Sequence, residues 1–313
     1  MIRDFQEVIS DYEAGLPNND QVKWIGLHPG QILKKLLDVG INLSMYLIKN
    51  LLNTLNYKKR KYSKEQSIGI PENRNAQFEK IANLKATFLE QNLPILSIDT
   101  KAKEPLGNFD RNERYFGKDK RKVNDHDFTS KASGIVIPHA LYDTTDNKGY
   151  VTLGTSKDTS EFVCDNILWY WQNKLQWRYP NADTILLLCD GGGSNSCNHY
   201  IVKQDLVRLA RTLNINILVA HYPSYCSKWN PIEHRLFCHL HRAYEGSIFH
   251  NIQIVKELTA QTSTKTGLEV DVRINEKEYK TGRKYDYDFK QNIDKYIQFD
   301  EKIPKWNYLI YGN

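Results

Sequence analysis

Cysteine is sparse in this sequence and forms no recognisable motif. The chain has five cysteines among 313 residues, and no two of them make a CxxC pair. Disulfide frameworks and zinc ribbons both use paired cysteines, so the sequence indicates neither of them. This cysteine usage fits a reducing compartment, and we expect a cytoplasmic protein.

Long apolar segments are also missing. No run approaches the length of a membrane span, and the amino terminus shows no charged segment followed by an apolar one. Membrane spans and secretory signals need such runs, so the sequence argues against both. The hydrophobic fraction of 40% and the aromatic fraction of 12% predict a folded core, in one large or two modest domains.

Basic residues are concentrated near the amino terminus. The formal net charge is +6, and residues 21–62 hold eight Lys or Arg against one acidic residue, Asp38. Within this segment the apolar spacing predicts a short helix around Leu36 and then a turn around Gly40.

A second helix follows this turn and has one apolar and one polar face. Ser44 is suited to cap its start, and apolar residues from Leu47 to Leu55 recur at helical spacing. Two helices joined by a glycine turn are typical of a helix-turn-helix, whose second helix reads the major groove, although any small helical hairpin has the same pattern. The basic run after the helix suits phosphate contacts. We predict a small all-α helix-turn-helix domain over residues 1–62, with these candidate DNA-binding residues: Lys49, Asn50, Asn53, Lys58, Lys59, Arg60 and Lys61.

A polar segment separates this region from the rest of the chain. Residues 63–75 are polar and contain Gly69 and Pro71, which predicts a linker. A helical stripe follows, so we assign residues 63–90 to a linker and a connecting helix. From residue 91 the pattern is three strands, then helix, strand, helix, strand and helix. This order predicts a mixed α/β sheet flanked by helices over residues 91–313.

Three carboxylates occupy distinctive places in the strand-rich region. Asp99 and Asp190 each end an apolar strand, and Glu233 opens a later helix in the stretch SKWNPIEHRLF. Each has an ordinary explanation, because turns favour Asp and because Glu233 stands at the capping-box position after Asn230. Neighbouring strands can bring the two aspartates to one edge of the sheet, where the helix of Glu233 can close a site. The pattern alone leaves Glu233 open as cap, as ligand or as both.

A series of longer motifs resembles one known family. The stretches SIDTKAKEPLGNF, VNDHDF, LLCDGGGSNS, AHYPSYCSKWNPIEHRLF and TSTKTGL look like the successive motifs of the Rhodopirellula-type DDE transposases. These are bacterial insertion-sequence enzymes with an RNase H-like catalytic domain. The resemblance covers most of the chain in order. Two departures are PHALYD, where a tyrosine and a glycine are more usual, and PSYCSKWN, where PPGTSKWN is more usual.

The resemblance implies an activity and a site. Asp99, Asp190 and Glu233 match the family's DDE triad, which would hold two Mg²⁺ or Mn²⁺ ions through the oxygen ligands that such hard ions prefer. The implied activity is metal-dependent strand cleavage and strand transfer at the element's ends. The implied partners are double-stranded DNA, as element ends and as target, and further copies of the chain assembled on it, on the nucleoid of a bacterial cytoplasm. Three motif residues flank the site with roles left open: His221, Lys228 and Asn230.

Two alternatives remain at this point. A structure-selective nuclease of the same fold would need the triad but no end-specific binding. A relic, truncated at its amino terminus or inactive, would act only as a DNA-binding protein or as an inhibitor of a full-length transposase. The resemblance favours a truncated start, since relatives usually begin with a further helical DNA-binding segment. Metal-dependent cleavage of element-end DNA separates these possibilities.

Overall fold

In the computed structural model the chain divides into two compact units, Met1–Gly69 and Ile70–Asn313. The structure describes residues 2–16, 19–60, 73–111, 122–125 and 128–313. Lys61 and most of the predicted linker lie outside the described residues. No helix within these ranges is both long and apolar enough to cross a membrane.

The described part of the amino-terminal unit contains three helices and a two-stranded hairpin. Its elements are α1 (Ile2–Ser10), β1 (Glu13–Leu16), β2 (Asn19–Ile25), α2 (Pro29–Asp38) and α3 (Met45–Thr54). Phe5 of α1, Leu36 of α2 and Ile48 of α3 are fully buried and share one apolar cluster. This small core holds the three helices together.

The predicted helix pair is present as α2 and α3. Gly40 lies in the turn between them with φ +77°, a conformation that glycine adopts without steric strain. Ser44 caps α3 by accepting a hydrogen bond from the Leu47 amide at 3.2 Å. The preceding helix α1 and the β1–β2 hairpin were not predicted, because neither has a long periodic pattern. The prediction of an all-α domain is therefore wrong, since β1 and β2 pair as antiparallel strands within this unit.

The larger unit is built on a mixed sheet, which has nine strands within the described ranges. The strands are β3 (Ile95–Thr100), β4 (Glu104–Leu106), β5 (Gly134–Asp143), β6 (Lys148–Gly154), β7 (Thr184–Cys189), β8 (Asn216–His221), β9 (Glu269–Asn275), β10 (Ile297–Phe299) and β11 (Asn307–Ile310). Their spatial order is β10-β11-β8-β7-β3-β5-β6-β9, and β4 pairs with β5 outside this path.

The centre of this sheet confirms the predicted fold class. Strands β3, β5 and β6 form an antiparallel meander, and β7 and β8 then add in parallel on the other side of β3. This is the RNase H-like arrangement that the resemblance implies. The flanking strands β9, β10 and β11 extend the two edges and were not predicted.

Helices cover both faces of the sheet. They are α4 (Arg74–Glu90), α5 (Ser160–Tyr170), α6 (Gln176–Arg178), α7 (Tyr200–Leu213), α8 (Cys238–Tyr244), α9 (Ile252–Ala260) and α10 (Tyr287–Gln291). Ile167 of α5 and Leu206 of α7 pack on one face. Ile81 and Phe88 of α4 pack on the other, so the connecting helix is part of the sheet's core. The carboxyl ends of the central parallel strands remain at an edge of this assembly.

Candidate active site

Asp99 and Asp190 lie level with each other on neighbouring strands. Strands β3 and β7 run parallel, and their register pairs Ser97 with Leu188. The same offset places Asp99, near the end of β3, opposite Asp190, the first residue after β7. Adjacent strands of a sheet are about 4.8 Å apart. The two carboxylates therefore start from neighbouring backbone positions at the carboxyl edge of the sheet.

Both side chains also lie on the same face of the sheet. Side chains alternate along a strand, so Asp99 shares its face with Ile95 and Asp190 shares its face with Leu188. Ile95 and Leu188 belong to the apolar cluster that α4 covers. The two aspartates therefore extend from the edge of that face.

A buried polar tie joins the segment of Glu233 to β3. The Ser97 hydroxyl donates to the side-chain oxygen of Asn230 at 2.5 Å, and the Asn230 side-chain amide donates to the Ile98 carbonyl at 3.2 Å. The Ile232 amide donates to the Ser97 hydroxyl at 3.0 Å. Ser97 and Asn230 are both fully buried, where hydrogen bonds are strong and their loss is costly. This Ser97–Asn230 tie holds the start of the Glu233 helix against β3.

The local geometry shows that Glu233 is not part of a capping box. The Asn230 side chain is turned toward β3, and its backbone amide donates to the Ser227 carbonyl at 2.7 Å. The Asn230 side-chain oxygen accepts from the Ser97 hydroxyl, which is not the Glu233 amide that a capping box requires. Residues Glu233–Phe237 form a π-helical turn, a feature that is frequent at functional sites. The capping explanation of Glu233 is therefore wrong, and its role as a ligand stays a prediction.

The pKa of Asp99 shows how closely the carboxylates interact. Burial, the charge of Asp190 and, to a smaller extent, the charges of Glu233 and Asp158 together raise the pKa of Asp99 to about 7. The Thr100 amide opposes this rise by donating to the Asp99 carboxylate at 2.7 Å. The carboxylates are thus near enough to repel one another, in surroundings that weaken solvation.

The other two predicted carboxylates show the same tendency. Burial raises the pKa of Asp190, and the Gly192 amide, which donates to it at 3.3 Å, opposes the rise. Burial and the charge of Asp190 raise the pKa of Glu233, whereas the nearby Lys101 lowers it. Lys101 also forms an ion pair with Glu104, so its charge is shared. Burial thus disfavours the charged form of all three carboxylates, and the charge of Asp190 adds repulsion at Asp99 and Glu233.

Asp158 is a fourth carboxylate of this site that sequence reasoning missed. It lies between β6 and α5 and accepts a hydrogen bond from the Thr100 hydroxyl at 3.3 Å. Its charge raises the pKa of both Asp99 and Asp190. In the sequence it precedes Thr159, the cap of α5, and looks like an ordinary acidic residue at a helix start.

The donor set fits a hard divalent cation. Carboxylate oxygens are the ligands that Mg²⁺ and Mn²⁺ prefer, and a bound cation would relieve the repulsion that raises these pKa values. Among the described residues, no three His, Cys, Asp or Glu side chains are already gathered at the spacing of a bound metal. A metal-bridging distance between Asp99, Asp190 and Glu233 therefore stays a prediction.

The three predicted flanking residues lie in different surroundings. Asn230 forms the tie to β3. His221 is 1% exposed, and its ring nitrogens lie 2.9 Å from the Trp306 carbonyl and 3.1 Å from the Asn195 carbonyl. Burial lowers the pKa of His221 to about 4. Lys228 is exposed, with its Nζ 5.6 Å from the Trp229 ring centroid. His221 therefore joins two loops, and Lys228 faces solvent.

The predicted DNA-binding residues within the described ranges lie on the surface of the amino-terminal unit. Lys49, Asn50 and Asn53 are exposed on α3, whose buried side carries Ile48 and Leu51. Three further residues are exposed after α3: Lys58, Lys59 and Arg60. Their exposure fits contact with DNA, and that contact stays a prediction.

Comparison with solved structures finds distant similarity to transposases. The Mos1 transposase paired-end complex with the left transposon end is 15% identical, with a TM-score of 0.45 over 82% of this chain and 69% of that one. The Mos1 strand transfer complex is 14% identical, with a TM-score of 0.45 over 82% and 68%. The catalytic domain of Mos1 mariner transposase is 12% identical, with a TM-score of 0.40 over 61% and 80%.

Comparison with protein families gives a match over nearly the whole chain. No curated protein matches this chain. The family described as the Rhodopirellula transposase DDE domain matches residues 4–312, which include both units. This match confirms the resemblance seen in the motifs. The chain belongs to the Rhodopirellula DDE transposase family.

Proposed function

We propose that this protein cuts DNA strands at the ends of an insertion sequence and joins them to target DNA. Asp99, Asp190 and Glu233 are the residues that would hold the divalent ions. The observation that carries this proposal is the placement of Asp99 and Asp190 on adjacent parallel strands, with Glu233 held against β3 by the Ser97–Asn230 tie. The raised pKa of Asp99 supports it, because burial and the charges of Asp190 and Glu233 all disfavour the ionised form of Asp99.

Each residue of the site has a distinct part in this proposal. Two bound Mg²⁺ or Mn²⁺ ions would stabilise the charge on the attacking and leaving oxygens of the phosphodiester. The charges of Asp190 and Glu233 both act on Asp99, so Asp99 would be the ligand shared by the two ions. Asp190 would hold one ion and Glu233 the other. The Ser97–Asn230 tie keeps Glu233 in place, since a small displacement of a catalytic group has a large effect on rate.

The amino-terminal unit supplies the DNA-binding surface in this proposal. Its exposed cations on α3 and in the following basic run would contact phosphates, and the polar side chains of α3 would reach base edges. Asn50 and Asn53 are suited to pair with adenine in the major groove. The protein would act on double-stranded DNA as an oligomer assembled on the element ends, on the nucleoid of the bacterial cytoplasm.

A nicking assay with a matched substitution tests the catalytic proposal. Element-end DNA, identified by the inverted repeats beside the coding region, is incubated with the protein and Mg²⁺, Mn²⁺ or a chelator. Wild-type protein should nick the ends only with a divalent ion. Asp190→Asn should leave the fold and DNA binding nearly intact and remove nicking, because it replaces one anionic ligand by a nearly isosteric neutral one. Nicking by Asp190→Asn at the wild-type rate would show that Asp190 is a structural residue.

An inactive DNA-binding relic is the alternative that the same assay addresses. Such a protein would bind element ends through the amino-terminal unit and would not nick them under any metal condition. The intact set of carboxylates at the sheet edge favours the active enzyme.

A further inference from the structure

One exposed tyrosine near the carboxylates has an unfavourable backbone conformation. Tyr225 has φ +61°, a left-handed conformation that is strained for a bulky residue. Its side chain is 81% exposed, so burial of the ring does not offset this strain. The ring therefore contributes little to the fold. Strained backbone positions cluster at active sites and at segments that clamp ligands.

The loop that carries Tyr225 is anchored at both ends to strands of the site. The Tyr222 amide donates to the Cys189 carbonyl at 2.9 Å, directly before Asp190. At its other end Asn230 forms the tie to β3. Three residues of extended chain span at most about 11 Å, so the loop holds Tyr225 close to the carboxyl edge of the sheet.

The composition of this loop matches a nucleic-acid contact. Lys228 is the one charged residue in the stretch YPSYCSKWN, and its Nζ lies 5.6 Å from the ring centroid of Trp229. Trp229 is itself 54% exposed. Exposed aromatic rings beside cations are how proteins bind unpaired nucleic acid, because bases stack on the rings while cations meet the phosphates.

We propose that Tyr225 stacks against an unpaired DNA base next to the strand that the carboxylates cut. This inference rests on the proposed function, because it needs a DNA strand at the carboxylates; a base that leaves the duplex there would offer an exposed face. Stacking depends little on base identity. Tyr225 would therefore recognise an unpaired base as such and would not read its sequence.

Binding measurements on three variants of the full chain test this proposal. Tyr225→Gly removes the ring and relieves the backbone strain, Tyr225→Phe keeps the ring, and Trp177→Ala is the control. Trp177 is 76% exposed and precedes Arg178, which pairs with Asp146 in the β5–β6 turn at the opposite edge of the sheet. The probe is a short duplex with one 2-aminopurine opposite an abasic position. A fully paired duplex of the same sequence is the comparison, and both are measured without divalent ions.

The expected results distinguish stacking from a general DNA contact. Tyr225→Gly should bind the unpaired probe about tenfold more weakly, equivalent to about 1.4 kcal/mol, and bind the paired duplex like wild type. Wild type, Tyr225→Phe and Trp177→Ala should quench 2-aminopurine fluorescence, and Tyr225→Gly should not. Tyr225→Gly should also melt at a higher temperature than wild type, because glycine adopts the left-handed conformation freely.

Several outcomes would overturn the proposal. One is equal affinity of wild type and Tyr225→Gly for the unpaired probe, and another is an equal loss for both duplexes. A change in self-association on Tyr225→Gly, with both affinities unchanged, would make the loop a protein contact instead. These measurements need no cleavage, so a failure of the proposed function would appear separately, as wild-type protein that does not nick DNA with Mg²⁺.

Discussion

Asp99→Asn is expected to stabilise the metal-free protein while it abolishes the proposed activity. Burial and the neighbouring carboxylates raise the pKa of Asp99 from 3.8 to about 7. Between pH 3.8 and about pH 7 the native state therefore holds a proton that the unfolded chain has released. The free energy of unfolding falls as the pH rises through this range. Asparagine has nearly the same shape and can still accept the hydrogen bond of the Thr100 amide. It carries no charge, so it removes the repulsion.

The size of this effect follows from the interval between the two pKa values. At about 1.4 kcal/mol for each tenfold change in proton affinity, the interval corresponds to about 4 kcal/mol. Asp99 is partly exposed, and water screens its interactions, so we expect about half of this value. A gain of about 2 kcal/mol would raise the melting temperature of a unit of this size by about 4–8 °C.

The assay is calorimetry of wild type and Asp99→Asn in a chelating buffer from pH 4 to pH 8. The two proteins should melt together near pH 4, and the variant should gain stability up to about pH 7 and keep that gain above it. Added Mg²⁺ should then stabilise wild type more than the variant, because a ligand that binds the native state raises its stability. This second measurement reports metal binding without reference to activity.

Asp300→Asn is the matched control, for which we expect a lower melting temperature instead of a higher one. Burial alone would raise the pKa of Asp300, but hydrogen bonds from Lys80 and from the Ile303 and Lys302 amides lower it below 3.8. Asp300 therefore stabilises the protein above this pH, and its replacement should lower the melting temperature at pH 7. If Asp99→Asn instead melted at or below the wild-type temperature across the whole range, the carboxylates would not repel one another and the electrostatic account of the site would be wrong.

Three further predictions concern the residues around the site and the amino-terminal unit. Asn230→Ala leaves the buried Ser97 hydroxyl without its acceptor, so it should destabilise the protein by about 2 kcal/mol. It should also slow nicking more than it weakens DNA binding, and an unchanged nicking rate would show that the Ser97–Asn230 tie does not position Glu233. Burial lowers the pKa of His221 from 6.5 to about 4, so wild type should lose stability relative to His221→Gln as the pH falls from 6.5 to about 4. The expected loss is about 1.4 kcal/mol per pH unit in urea unfolding. A difference in stability that does not change with pH would contradict this. Replacing Lys58 and Lys59 by alanine should weaken binding equally to element-end and scrambled duplexes and reduce the salt dependence of mobility shifts, whereas a loss confined to element ends would indicate base contacts.

The sequence determined the central strands and the positions of Asp99 and Asp190 at their ends. A strand is a local pattern, because alternating or continuous apolar residues over five to ten positions are enough to predict it. The apolar strands predicted to end at Asp99 and Asp190 are present as β3 and β7. The two helices α2 and α3 are equally local, and the Ser44 cap is visible as a single residue. The family resemblance also needed only the linear order of motifs.

Only the tertiary structure decided what these residues contact. The register that sets Asp99 opposite Asp190 is a property of two strands about 90 residues apart, and the Ser97–Asn230 bond joins residues 133 positions apart. Asp158 looks like any acid before a helix until β6 and α5 bring it beside Thr100. Short strands such as β10 and β11 gain stability by pairing with an existing sheet, since their own pattern is too short to predict them. Contacts between distant segments depend on the whole packed sheet, and no local pattern contains them.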